Sequence, residues 1–526
     1  MVKKRILIFL AIMMATVVSC DDFLGDNVNP NAATKLTPQL VLPNALTVSA
    51  DLVRQWNDDG SWIAGYIVNA GGFAGFGSDV TYNYATTDHN GLWSNTYDGL
   101  YNYQYILDQT EGDEALAYFN AAARVMKSYH FQHLIDFYND VPYTNALKGS
   151  ANVAPDYENA ATVYQQLVTE LNTALTVFET ATLALPMGSA DVLFGGDISR
   201  WAEFANTIKL RLLIRMSEVA SVSSFVSSEF ANFDLSVGVL SNDALVNPGY
   251  LTTSGKQNPM WNTYHSDAAG VQAGAGRSRI PSAYVFAFYN GTKLSDTYRG
   301  SRTYKNFPTT PRGVLGDQTS DQPFAITNFI AWYVGTGVAA AAENTVGLFK
   351  GRTAGMPMML RAEAQFLLAE AQLRGLLAGT AATTFRAGLD ASFTYLYKNI
   401  SGTVVGNPVN DVTAYISDNS GNYLVDFAAA TSDEERLEAI ITQKYIALNF
   451  VHGHEAWSEF RRTTYPAIVN GSSDPVETFA SIVSTSSRPD RLPVRVLYPA
   501  TEYQLNPSTI PADINQFNSR VFWQAQ

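Results

Sequence analysis

Only one cysteine, Cys20, occurs in the 526 residues of the chain. No internal disulfide can therefore form, and no multi-thiolate metal site can be assembled. Histidine is scarce as well, with six residues, and charged side chains make up only 16% of the sequence. Low charge beside 46% hydrophobic residues excludes long disorder and coiled coil, so most of the chain is expected to fold. Bases are outnumbered, 34 against 48 acids, and the net charge is −14. Three of those bases, Lys3, Lys4 and Arg5, lie in an N-terminal stretch without acids, and removing them leaves −17 on the remainder. A surface of that sign repels phosphate backbones and anionic headgroups, and no nucleic-acid partner is expected.

Catalytic signatures are missing too. The sequence has no Gly-x-Ser-x-Gly elbow, no Walker loop, and no Gly-x-Gly-x-x-Gly opening a helix after a strand. The run His452, Gly453, His454, Glu455 has the start of a zinc-protease helix, but Ser458 stands where the second histidine is required. His130 and His133 share a helix face without a nearby Cys or helical Glu to complete a metal set, so packed or capping histidines are expected, with no metal and no cofactor. Carboxylates for glycoside cleavage need only meet in space, which leaves a surface glycosidase open. The pairs Asp136 with Asp140 and Glu434 with Glu435 are expected to be solvated or capping.

What is present begins at the N-terminus. Lys3, Lys4 and Arg5 precede an apolar run from Ile6 to Val18, and Ser19 stands before Cys20. This is the layout of a signal peptide over residues 1–19, too short for a comfortable span of about 20 residues. A bacterial lipoprotein follows from it: a lipid thioether on Cys20 and cleavage before it. Burial of about 0.8 kcal/mol per methylene lets several acyl chains hold the protein firmly. The alternative is an ordinary signal-peptide cysteine and free secretion. No later stretch is apolar enough to cross a membrane.

Residues 20–45, rich in Asn, Pro, Thr and Asp, are expected to form an extended tether. A single domain is expected over 46–526. A chain this long is expected to hold more than one core or stacked repeats, since single cores stop growing at about 250–300 residues. Apolar residues at helical spacing recur at Leu116, Phe119, Ala123, Met126 and His130; at Tyr164, Leu167, Leu171, Leu175 and Phe178; and at Trp201, Phe204, Ile208 and Leu212. Met359, Ala362, Phe366, Ala369 and Leu373 repeat the pattern, as do Leu437, Ile441, Lys444 and Leu448. The fold class is therefore mostly α, with tetratricopeptide-like helical hairpins although the consensus repeat is absent. The scaffold is expected at about 46–220 and 357–465. Between its two blocks, residues 233–355 read as an irregular, loop-rich insertion, the part of a helical protein where binding resides.

Aromatic, amide and hydroxyl side chains concentrate in two tracts, Gly71 to Asn90 and Gln257 to Tyr333. Sugar rings stack apolar C–H faces on aromatic planes and bond their hydroxyl rims to Asn, Gln, Asp and Arg, and peptides use the same surfaces. Trp93, Tyr97 and Trp201 lie in helical registers and are assigned to the core. Phe73, Phe76, Tyr82, Tyr84, Trp261, Tyr264 and Trp332 flank glycines or polar loops and are the candidate ligand-binding residues.

Several motifs together resemble the SusD/RagB family of outer-membrane nutrient-binding lipoproteins. The opening Asn29-Pro-Asn31-Ala-Ala-Thr34, with Leu36-Thr-Pro38 and Leu42-Pro43, is similar to the SusD-like branch. His133-Leu-Ile-Asp136-Phe-Tyr138-Asn-Asp140-Val-Pro142-Tyr143 resembles the family's aspartate-tyrosine-glycine-aspartate-valine-proline-tyrosine signature, with Asn139 in place of glycine. Asparagine also tolerates a left-handed turn. Met358-Met-Leu-Arg361-Ala-Glu363-Ala with Leu368-Ala-Glu370-Ala-Gln-Leu-Arg374-Gly375 is similar to a further block. So are Ile441-Thr-Gln443-Lys444-Tyr445-Ile-Ala447-Leu, Glu455-Ala-Trp457 and Arg461-Arg462-Thr-Thr-Tyr465-Pro466. Arg491-Leu492-Pro493 and Tyr498-Pro499 with Glu502 and Asn506 resemble the terminal pattern, with Val494 to Val496 inserted. Asp21 and Asp22 after the cysteine resemble the acidic export signal of Bacteroidota surface lipoproteins.

The resemblance implies a cell-surface lipoprotein that captures an oligosaccharide or a peptide. It would sit as a lid on a TonB-dependent barrel transporter of SusC/RagA type and is not itself an enzyme. Arg361, Glu363, Glu370, Gln443, Lys444, Glu455, Trp457 and Arg461 are expected to form buried bonds between helices, identifying the family and not the ligand. A purely structural transporter subunit remains the third alternative.

Overall fold

A computed structural model describes residues 36–322 and 345–524. Cys20, Trp332 and the signal peptide lie outside the described residues. The chain enters at once as helix: α1 spans Pro38–Ile63. Proline at the first helical position has its φ already set and no N–H to waste. Val41, Leu42, Ala45 and Leu46 then bury a continuous face. The tether expected over 20–45 is therefore corrected at its C-terminal end, where packing of this face overrides the proline-rich composition.

A first block of helices follows: α2 (Asn90–Thr110), α3 (Ala117–Tyr138), α4 (Ala160–Thr180), α5 (Ile198–Met216) and α6 (Ser223–Ala231). A second block holds α7 (Arg361–Leu373), α8 (Ala381–Tyr397), α9 (Pro408–Asp418), α10 (Asp433–Ala447) and α11 (Gly453–Thr463). Successive helices pack on one another: α1 on α2, α2 on α3, α3 on α4, α4 on α5, and in the second block α7 on α8 and α8 on α9. The architecture is the mostly helical, hairpin-built scaffold expected. Its starts are locally encoded. Asn159 and Asp197 accept bonds from the first-turn N–H groups of α4 and α5. Ser432 caps α10 through Glu435 N, and Glu435 in turn accepts from Thr431 N. Glu435 thus caps, as expected.

The blocks join because α1 also packs on α11. The approach is possible only through two glycines. A Cβ on Gly60 would overlap the His454 backbone, and one on Gly453 would overlap that of Ser61. Asn57 completes the seam, donating to Phe450 O at 3.1 Å and accepting from Gly453 N at 2.8 Å.

Two short antiparallel strand pairs stitch the insertion to the scaffold. β1 (Ile67–Asn69) pairs with β3 (Arg279–Pro281), and β2 (Ala244–Val246) with β4 (Met356–Met359). Asn139 takes φ 68° and ψ −108°, so the asparagine that replaces glycine holds a positive-φ turn after α3, but outside the left-handed helical region expected for it.

The centre of the scaffold is ionic. Arg211 Nη2 lies 2.8 Å from Glu363 and its Nη1 3.0 Å from Glu455. Arg215 bridges Asp136 and Glu455, and Arg462 meets Glu370 at 2.7 Å and Glu459 at 2.5 Å. Lys444 stands 3.5 Å from Glu459. Burial works against the charged form of Glu455, yet Arg211 and Arg215 outweigh it and hold the carboxyl well below its usual range. Burial is likewise outweighed at Glu459 by Arg462 and Lys444, which bring it down to about 2. The expected scaffold role of Glu363, Glu370, Lys444 and Glu455 is realised here, but Arg361 is only half-buried. Asp136, expected to be solvated or capping, is instead buried between Arg215, Tyr164 and the Trp523 indole. Asp140 does cap, accepting from Ala160 N at 2.8 Å.

Acid should loosen this core. Burial depresses His130, His133, His452 and His454, with His452 down to about 4 from a usual 6.5. A lowered histidine contributes stability that is present above pH about 6.5 and is lost as pH falls through its folded value; for His452 this is about 3 kcal/mol. Glu455 and Glu459 act in the same direction below pH about 4.5. Thermal unfolding followed from pH 7 to pH 4 is expected to show a steep fall in Tm, and a flat profile would contradict the assignment.

Candidate functional site

The strand pair β1–β3 brings together the two tracts singled out in the sequence. Ala70 N donates to Ser278 O at 2.8 Å, Asn69 Nδ2 donates to Asp317 O at 2.8 Å, and Gly316 N donates to Asn69 Oδ1 at 2.7 Å. Gly71 has to be glycine, since a Cβ there would overlap the Ser320 carbonyl. Beyond it, Gly72, Gly75 and Gly77 all take positive φ and hold Phe73 and Phe76 half-exposed on a loop.

Under that loop lies the last turn of α1. Trp62 packs against Phe76 with ring centroids 5.3 Å apart, and the Arg279 guanidinium sits 5.2 Å over the Trp62 ring. Arg279 also stands 3.7 Å from Asp58, whose other oxygen accepts from the Tyr264 hydroxyl. Next to it, Asp59 is 3.7 Å from His89 Nε2. Burial, then the neighbouring Asp58, raise the Asp59 carboxyl to about 8, with Arg279 and Arg54 opposing. Burial and Asp59 raise Asp79 to about 6. Asp59 still shows 28% of its side chain to solvent, so its shift reflects crowding by like charge and shallow enclosure together. The cluster offers half-exposed aromatic faces beside hydrogen-bonding carboxylates and a guanidinium, the combination a sugar or a peptide backbone requires.

The seven candidate residues separate. Phe73 and Phe76 belong to this cluster. Tyr264 does so through its hydroxyl, but its ring is buried. Tyr82 and Tyr84 are corrected to core positions: the C-terminal segment folds over their loop through Thr485 N to Thr81 O at 2.9 Å and Ala500 N to Thr86 O at 2.8 Å. Trp261 is 1% exposed and stacks on His265 at 3.6 Å, away from the cluster. Trp93 and Trp201 are core as expected, and Tyr97 is half-buried against it. The sequence reading missed Asp58, Asp59, Asp79, His89 and Arg279. Asp58 and Asp59 directly precede Gly60 on an amphipathic helix, which marks a helix end and nothing more; only the fold shows that Arg279 faces them.

Among the described residues one metal-like triad occurs, His133, His454 and Glu455, with ligand atoms within 4.8 Å of one another. Glu455 is already held by Arg211 and Arg215, whose positive charges oppose a cation.

Two family models match the chain. One, described as "Starch-binding associating with outer membrane", covers residues 30–273, and the other, "Susd and RagB outer membrane lipoprotein", covers 337–520. The chain belongs to the SusD/RagB family. It is accordingly an outer-membrane lipoprotein, and no described helix is long and apolar enough to cross a membrane. Solved SusD-like structures share the fold. A SusD/RagB family protein of Bacteroides thetaiotaomicron aligns at TM-score 0.68 and 19% identity over 94% of this chain and 100% of its own. A SusD homologue of Bacteroides fragilis gives 0.66 and 20% over 93% and 99%. A chitin-binding SusD homologue from Flavobacterium johnsoniae gives 0.64 and 23% over 92% and 97%. No curated protein matches the sequence. Of the SusD-like motif residues, Asp136, Glu363, Glu370, Lys444, Glu455 and Arg462 supply the ionic centre, and the candidate ligand cluster lies outside the motifs.

Proposed function

We propose that this SusD-like lipoprotein captures an oligosaccharide at the cell surface and delivers it to a SusC/RagA-type TonB-dependent transporter, closing over the barrel as its lid. Cys20 carries the lipid anchor in this reading. The observation that carries it is the convergence of Phe73, Phe76, Asp58, Asp59 and Arg279 at the β1–β3 junction. The binding of chitin by a family relative of the same fold supports the ligand class. Lid closure is a population shift: the ligand favours the closed state only through contacts made there and not in the open state.

The test is a glycan and peptide array on the mature chain with Cys20→Ala, which keeps every described residue. A glycan hit is expected to weaken about tenfold, roughly 1.4 kcal/mol, with Phe76→Ala and again with Arg279→Ala. Peptide hits alone would transfer the site to peptide capture. Binding unaffected by both substitutions would remove the site from this surface.

A second reading rests on Asp59, raised to about 8 by burial and the neighbouring Asp58, because glycoside cleavage needs a carboxyl group that stays protonated to serve as its acid. Product analysis by mass spectrometry separates it from capture. Bond cleavage abolished by Asp59→Asn would make the protein a glycosidase; intact glycan after prolonged incubation is expected.

A further inference from the structure

Helix α1 and the short helix Pro259–Tyr264 enclose a recess that shares no lining residue with the Phe73–Phe76 cluster. Thr47 and Asp51, one turn apart on α1, form one wall, and Pro259 and Thr263 form another. Tyr250 and Gln257 close it from the segment just before the short helix, which Leu251 N folds back by donating to Lys256 O at 2.7 Å. Asn258 N, next to Gln257, donates to Arg352 O at 2.8 Å, so the glutamine is held from both sides. The recess measures about 220 Å³, with exposed Gly255 and Asn262 at its rim. A cavity of about 150 Å³ takes benzene, so there is room here for one six-membered ring with its substituents.

Its inner side chains are polar and unpaired. Gln257 is 6% exposed, and neither its amide oxygen nor its amide nitrogen has a partner among the described residues; Tyr250 is 8% exposed, and its hydroxyl has none. Burial, then nearby Asp51, pushes the Tyr250 phenol up, so it stays protonated and able to donate. Charge, by contrast, is balanced. The Asp51 carboxylate accepts from Arg54 Nε at 2.8 Å and from Gln55 Nε2 at 2.9 Å, and with half its side chain exposed it keeps lone pairs for a further donor. Thr47 donates to Pro43 O at 2.7 Å and can still accept. The recess thus presents an amide acceptor, an amide donor and a phenol, with no unpaired charge.

Buried polar groups without partners cost stability, and a ligand that repairs this must carry a donor and an acceptor on neighbouring atoms. A carboxylate has no donor for the amide oxygen and would meet Asp51. An ammonium has no acceptor for the amide nitrogen, and an aryl ring leaves all three groups bare. Adjacent hydroxyls on a ring satisfy both ends of an amide at once, since each hydroxyl donates and accepts. We propose that this recess binds one neutral pyranose ring, with a vicinal hydroxyl pair on the Gln257 amide and a further oxygen on the Tyr250 hydroxyl. Asp51 lies two turns, about 10 Å, from Asp58 along α1. The site is therefore additional to the Phe73–Phe76 surface, and it stands or falls by itself.

Saturation-transfer NMR with glucose, galactose, mannose and N-acetylglucosamine on the mature Cys20→Ala chain tests this. At least one of these sugars is expected to bind in the millimolar range. Gln257→Met and Tyr250→Phe should each weaken it at least about tenfold, because each removes a hydrogen-bonding group and little volume. A trans vicinal cyclohexanediol should compete with the sugar, whereas cyclohexanol, whose single hydroxyl pairs only one end of the amide, should not. Hydrogen exchange on the chain with Gln257 and Tyr250 intact locates the ligand should either variant not fold, and protection by the sugar is expected within residues 247–263. No binding of any of the sugars, binding that survives both substitutions, equal competition by cyclohexanol, or no protection within 247–263 would overturn the proposal.

Discussion

Replacing Arg215 by methionine is expected to destabilise the protein by about 3–5 kcal/mol, the cost of leaving buried carboxylates without their cation. Arg215 is fully buried and bridges Asp136 from α3 to Glu455 from α11, with Glu459 at 3.7 Å. Methionine fills similar volume, so the loss reports charge and not a cavity. Urea unfolding of the variant measures it. The double variant Arg215→Met with Asp136→Leu should recover part of the loss, because one stranded anion is then removed. A single-variant loss below about 1 kcal/mol would mean that water reaches these carboxylates.

The second large effect lies at the crossing of α1 and α11. Gly60→Ala or Gly453→Ala puts a methyl group into the facing backbone rather than against a side chain that can turn away. Overpacking costs about 1–3 kcal/mol where side chains can adjust, and a backbone contact should place these variants at or above the top of that range. The two substitutions act on one gap, so the double variant should cost less than the sum of the two. Gly60→Ala carries a further expectation. Asp58, Asp59 and Trp62 sit within two residues of it, so ligand binding at the surface cluster should weaken even in molecules that remain folded. Unfolding curves and binding isotherms on the same preparations would separate the two losses, and native stability in either single variant would show that the helices can part without cost.

The helical scaffold was legible in the sequence because each helix buries one stripe. The spacing of Leu116, Phe119, Ala123, Met126 and His130 gives α3, and that of Tyr164, Leu167, Leu171 and Phe178 gives α4. The start of α1 was hidden by composition. Pro38 and Pro43 read as tether residues, yet Pro38 suits the first turn, and buried Val41, Leu42 and Ala45 carry the helix through Pro43, which lies inside it. Loop composition located Phe73 and Phe76 but misplaced Tyr82 and Tyr84. Whether a loop aromatic meets solvent depends on what folds over it, here a segment some 400 residues later in the chain. Asp58 and Arg279 illustrate the same limit from the other side, since nothing local in either neighbourhood encodes their 3.7 Å meeting.

The seam between Asn57 and the Phe450–Gly453 turn also sets an order of events. These partners are 393 and 396 residues apart, so at synthesis rates of about 5–20 residues per second roughly 20–80 s separate the appearance of one from that of the other. Throughout that interval α1 can pack on α2 but lacks its partner at the α11 crossing. The first block can therefore pack helix on helix as it emerges, whereas the crossing that joins it to the second block must close last.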